Sequence, residues 1–153
     1  MKRSTIAQSF TAAAVTVLAL GLLPTANAQN KGCSNASLQG TYAYTSTGTI
    51  TSPAALAGPV AEVGMQTFDG QGNTTATALI SQNGNITPLT ITGTYTMNQN
   101  CTGTLTLQVV PFGITVVVYI VLDNNWTEFQ AIENGPGLVI TRVGRVLYPG
   151  RAI

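Results

Sequence analysis

The chain has 153 residues and a formal charge of +1, and only 7% of its residues are charged, against about 25% in an average soluble protein. It contains no histidine, which excludes Ser-His-Asp and Cys-His catalysis, His-ligated zinc and histidine acid–base chemistry. So few basic residues form no patch that grips a phosphate backbone, so no nucleic-acid partner is expected.

Residues 1–28 read as a secretory signal peptide. Lys2 and Arg3 supply a positive start, an apolar run extends from Ala12 to Leu23, Pro24 breaks it, and Ala26-Asn27-Ala28 offers the small residues of a cleavage site. A transmembrane anchor is the alternative, but the run falls short of the ~18–20 apolar residues that span a bilayer. Cys33 follows the polar Asn30-Lys31-Gly32, which does not suit a lipoprotein signal. Cleavage near Ala28/Gln29 would leave a secreted or periplasmic chain of about 125 residues, enough for one domain and not membrane-spanning. Its surface would be carried by Thr, Asn, Gln and Ser, and such an uncharged surface permits self-association.

Beyond Gln29 no long helical periodicity occurs, and Thr, Val, Ile and Tyr favour strands. The first strand is predicted at Leu38–Thr45. A loop rich in Ser, Gly and Pro follows, with room for one helical turn around Pro53-Ala54-Ala55-Leu56. The second strand, Val60–Phe68, ends at Asp69-Gly70-Gln71-Gly72-Asn73, and the third, Thr74–Gln82, at the hairpin pair Asn83-Gly84. The fourth is Ile86–Met97. In the fifth, Cys101, Gly103, Leu105, Leu107 and Val109 alternate with Thr102, Thr104, Thr106 and Gln108, so one face meets a core and the other water. The sixth, Ile114–Leu122, is apolar on both faces, and its outer face, with Val117, Tyr119 and Val121, would need a cover or a partner. Trp126–Glu133 and Leu138–Tyr148 complete the set.

Eight strands with mostly short connections predict an all-β, up-and-down antiparallel barrel in one domain, residues 29–153. A two-sheet β-sandwich is the alternative. Gly40 and Gly93, in the similar stretches Leu38–Tyr42 and Ile91–Tyr95, would allow sharp bends in a barrel wall. Two cysteines, Cys33 and Cys101, lie in the exported part; a disulfide is the simplest use of an even pair in an oxidising compartment, with two buried thiols as the alternative.

Cys33, Leu38-Gln39-Gly40-Thr41-Tyr42, Phe68-Asp69-Gly70-Gln71-Gly72-Asn73 and the run from Gly93 through Cys101 to Leu107 together resemble a group of small, exported, uncharacterised bacterial proteins. The resemblance covers most of the mature chain and rests on turns, bends and a cysteine pair. It implies a small barrel similar to those of the calycin and allene oxide cyclase type, and it implies no catalytic residue.

No P-loop or dinucleotide fingerprint is present, and no catalytic residue, metal ligand or cofactor is nominated. Asp69-Gly70-Gln71-Gly72-Asn73 lacks the closing Glu and the alternating oxygens of a calcium loop and reads as a turn. Asn-x-Ser/Thr sequons are explained by composition. Glu128 and Arg142 would face each other across a hairpin with a three-residue loop, either as a buried pair that anchors a polar ligand group or as a pair on the wet face. Tyr42 and Tyr95 join them as ligand-contact candidates, with core packing as the alternative. The expected function is a non-catalytic binding or interaction module that encloses a small apolar ligand. A self-associating structural protein of the envelope or matrix is the alternative, and an isomerase- or cyclase-like enzyme a further one.

Overall fold

The structure, a computed structural model, describes residues 32–149; the expected signal peptide and cleavage site lie outside the described residues. Eight antiparallel strands form a closed barrel in which each pairs with its sequence neighbours and the last returns to the first. They are β1 Gln39–Ile50, β2 Gly58–Asp69, β3 Asn73–Gln82, β4 Asn85–Met97, β5 Thr102–Val110, β6 Ile114–Leu122, β7 Glu128–Glu133 and β8 Leu138–Pro149. Closure gives every strand a partner on both sides, although the short β7 pairs only with Val118–Leu122 of β6 and Thr141–Arg145 of β8. The sandwich alternative is thereby set aside. Among the described residues no helix is long and apolar enough to cross a membrane.

Every strand keeps one face inward. On β5 these are Gly103, Leu105, Leu107 and Val109, with Thr104, Thr106 and Gln108 outward. The alternation is the direct consequence of the two-residue period of a strand. β1 is longer than the sequence suggests, because Ser46, Gly48 and Ile50 continue its inward face where Ser and Gly resemble loop. β7 starts later, at Glu128. Trp126 takes a positive φ of 60°, and the Asp123 carboxylate accepts hydrogen bonds from the Thr127 and Glu128 amides, which makes this stretch a loop.

The two ends of the barrel differ. At one end a short 3-10 helix, Asn35–Leu38, covers the interior. Its Asn35 carboxamide accepts from the Met97 amide at 2.8 Å and its Asn35 carbonyl from the Tyr95 hydroxyl at 3.1 Å. The Cys33–Cys101 disulfide, with Cα atoms 4.9 Å apart, fastens this cover to the β4–β5 turn. Below it Tyr42, Phe68, Tyr95 and Phe129 interlock, three of their contacts edge-to-face with ring centroids 5.2–6.1 Å apart. All four rings are buried. Edge-to-face packing of this kind adds about 0.5–1.5 kcal/mol per pair beyond area burial.

Room for these rings comes from inward glycines. A Cβ on Gly144 would stand 2.3 Å from the Phe129 ring. Tyr44 has Gly64 and Gly144 as its register partners on the two flanking strands. Alternation of large and small residues fills a small barrel without strain. Gly93 acts in the same way: its φ is ordinary, and the close approach of Thr106 O, 2.2 Å from a would-be Cβ, is what requires glycine.

Candidate functional site

The opposite end of the barrel is bounded by the β1–β2, β3–β4, β5–β6 and β7–β8 connections. There the interior holds a cavity of about 70 Å³. Its walls are apolar and come from most of the strands: Val60, Ile80, Leu89, Leu107, Val116 and Ile140 are representative. Leu56, from a second 3-10 turn at Ala54–Leu56, and Phe112, from the β5–β6 turn, stand at the rim. Inward positions of these strands meet no partner layer and can bury their side chains only in the barrel lumen.

Between the aromatic plug and this cavity lies a belt of polar side chains. Arg142 on β8, 4% exposed, is its centre. One Arg142 terminal nitrogen stands 3.5 Å from Glu62 Oε2 on β2 and 3.6 Å from Glu133 Oε1 on β7, and the other donates to Gln66 Oε1 at 3.5 Å. The guanidinium carbon sits 4.4 Å over the Tyr44 ring, a cation–π contact in a site removed from water. The Tyr44 hydroxyl donates to Glu62 Oε1, and Gln66 donates to Thr74 Oγ1 at 3.1 Å.

These contacts hold Arg142 loosely. Charge-assisted hydrogen bonds between a guanidinium and carboxylates ordinarily run about 2.7–2.9 Å, and all three contacts here are longer. Arg142 Nε is the one buried side-chain nitrogen or oxygen without a hydrogen-bond partner among the described residues. Burial pushes the Glu133 carboxyl above the usual glutamate range; Arg142 opposes the shift and Glu62 adds to it. Burial likewise pushes the Tyr44 phenol far up, with Arg142 opposing and Glu62 reinforcing, so it keeps the proton it donates to Glu62.

The expected pairing of Glu128 with Arg142 does not form. In the β7–β8 register Glu128 stands opposite Arg145 and Ala131 opposite Arg142. Glu128 is on the outer wall, where its carboxylate accepts from Arg145 Nε at 2.8 Å. The observed register is displaced by three residues along β8 from the expected pairing, and an odd displacement puts the two side chains on opposite faces. Arg142 does point inward, and it borders the cavity together with Glu62 and Glu133.

Tyr42 and Tyr95 lie in the aromatic plug, apart from the cavity lining. The Tyr42 hydroxyl donates to Trp126 O at 2.7 Å, and burial, with Asp123 and Tyr95, pushes its pKa up to about 12. Glu62 and Glu133 are the site residues that sequence reasoning missed. Their signal was phase: Glu62 shares its face with Val60 and Phe68, and Glu133 shares its face with Phe129.

On the outer wall Tyr119 and Val121 are 43% and 45% exposed and Val117 is half-buried. Tyr119 pairs with Ile132, itself exposed, on β7, so the apolar outer face of β6 continues across the next strand. The Asp69 carboxylate is engaged within its own loop: Asp69 Oδ1 accepts from the amides of Gln71, Gly72 and Asn73, and Oδ2 from the Asn73 side chain. Among the described residues no cluster of acidic or cysteine side chains has the makings of a metal site.

Comparison with protein-family models, with curated proteins and with solved structures finds no match in any of the three.

Proposed function

We propose that the chain is an exported, non-catalytic binding module that takes a small apolar ligand into the open half of its barrel. The observation that carries this reading is the asymmetry of the lumen. One end is plugged by aromatic rings and tied by a disulfide, while the other keeps an apolar-walled cavity with a polar belt at its floor. Apolar walls with few polar groups are the usual composition of a small-molecule site. The size is informative: about 70 Å³ is well below the ~300–1,000 Å³ of drug-sized sites. The occupant is therefore a slender group, such as an alkyl chain, and not a fused ring system. Export to the periplasm or beyond rests on the N-terminal pattern and accords with a disulfide. The likeness to small uncharacterised bacterial barrel proteins belongs to the same reading.

Thermal unfolding in the presence of straight-chain apolar compounds tests it. A ligand that binds only the folded state raises the midpoint in proportion to RT ln(1 + [L]/Kd). Wild type is stabilised by such compounds, and a variant with the cavity filled, Ile80→Trp, is not. Equal shifts in the two proteins would remove the lumen as the site.

A second reading, self-association, is favoured by the exposed Tyr119, Val121 and Ile132 on the outer wall. It accounts for the outer face and leaves the lumen unexplained.

A further inference from the structure

We propose that the cavity selects amphiphiles whose head is uncharged and hydrogen-bonding, a hydroxyl or carbonyl, and rejects both carboxylates and ammonium groups. The inference rests on the lumen being the ligand site and names the chemistry of its occupant.

The floor of the cavity carries one guanidinium and two carboxyls, Arg142, Glu62 and Glu133, all bordering the same space. Their side chains are 3%, 7% and 9% exposed, so a head that reaches the floor meets all three with little water between them. A ligand carboxylate would join two glutamates around one arginine, and like charges placed together in a dry site are strongly unfavourable. A ligand ammonium is drawn by the two carboxyls, but it brings only donors, would sit beside the guanidinium, and would have to compete with the Tyr44 hydroxyl and Arg142 for carboxyl oxygens they already engage. Arg142 already has more donors than well-placed acceptors: its three contacts are 3.5–3.6 Å and its Nε has no partner.

A neutral oxygen fits both demands. A carbonyl or hydroxyl oxygen accepts from Arg142, and a hydroxyl can also donate to Glu62 or Glu133. No charge is added to a cluster that has no room for one. The apolar body of the ligand then lies along Ile140, Leu107, Leu89 and Ile80 toward the rim at Phe112. A narrow cavity suits an unbranched chain in this head-down arrangement.

Isothermal titration calorimetry with four matched eight-carbon probes, 1-octanol, 2-octanone, octanoate and octylammonium, tests the selection at neutral pH. The alcohol or the ketone binds about tenfold or more tightly than either ion. Glu133→Gln removes one carboxylate while keeping its shape, and octanoate gains affinity in that variant relative to the alcohol. Octanoate or octylammonium binding wild type as tightly as the neutral probes would overturn the selection and leave the lumen site standing. No binding by any of the four would overturn the lumen site and the selection together. The wild-type comparison decides the matter even if Glu133→Gln does not fold.

Discussion

Glu62 and Arg142 meet inside the barrel across Ser46, which is the register partner of both: Ser46 pairs with Glu62 on one side and with Arg142 on the other. The small serine between them lets two long side chains from β2 and β8 converge at 3.5 Å. A larger residue at this inward position would hold them apart.

Removal of the cation should cost far more than removal of one acid. Arg142→Met leaves Glu62 and Glu133 buried without their counter-charge, and breaking a buried pair in this way costs about 3–5 kcal/mol. Urea unfolding followed by circular dichroism checks it. A loss under about 1 kcal/mol, the usual worth of an exposed pair, would show that the cluster is hydrated and not buried.

Glu133 gives a pH signature with a definite sign. Its carboxyl is raised in the folded state, first by burial, so the folded protein holds a proton that the unfolded chain releases. Stability is then fully present below the ordinary glutamate pKa of 4.5 and declines as pH rises from there through the folded value. Glu133→Gln should remove this decline, so that variant gains on wild type as pH is raised from 4 to 8. Parallel stability curves would contradict it. Asp69 acts oppositely: hydrogen bonds, chiefly from the Asn73 side chain, hold it at about 2. Its contribution is present above the ordinary value of 3.8 and is lost as pH falls toward 2.

The disulfide spans 68 residues. Loop entropy makes such a bridge worth about 4 kcal/mol. Reduction, or Cys33→Ala with Cys101→Ala, should lower the thermal midpoint markedly and release the Asn35–Leu38 cover first, since the bridge at Cys33 is what ties it to the β4–β5 turn. Hydrogen exchange at the Met97 amide, whose acceptor is Asn35, reports that release. An unchanged midpoint would mean that the cover holds without the bridge.

Two glycines separate packing from backbone strain. Gly144→Ala drives a methyl into the Phe129 ring and should cost about 1–3 kcal/mol or more by overpacking. Gly84→Ala meets nothing within 4 Å, but its φ of +84° is one that L residues resist, and the expected cost is about 1 kcal/mol. Equilibrium unfolding of the two variants checks the order; a costlier Gly84→Ala would reverse the assignment.

Much of the barrel was legible because strand residues, turn residues and alternation agreed along the chain. β6 was placed residue for residue, Ile114–Leu122, and the alternation of β5 gave its inward set directly. The site was less legible, for a physical reason. β2 carries Val63 and Met65 outward and Glu62 and Gln66 inward, the reverse of what hydrophobicity suggests. Val60 and Phe68 mark the inward phase at the two ends, and the register with β1, where Tyr44 opposes Gly64, carries it through the middle. Arg142 faces the lumen, but the partner the sequence suggests for it, Glu128, lies on the outer wall. An odd displacement of the β7–β8 register, here three residues, decides which of two acids on opposite faces an arginine meets, and sequence does not settle register to that degree. Charged residues two strands apart in the barrel, such as Glu62 and Arg142, are 80 residues apart in the chain and leave no local pattern.

The central claim is that the open half of the barrel holds a small molecule. Native mass spectrometry of the mature protein, purified from the periplasm or culture medium, tests it most directly. The account predicts a monomer carrying extra mass that is lost on denaturation, and a bare monomer for Ile80→Trp. A dimer or larger assembly without any small molecule would contradict it and would point to the outer face of β6, with Tyr119 and Val121, as the working surface.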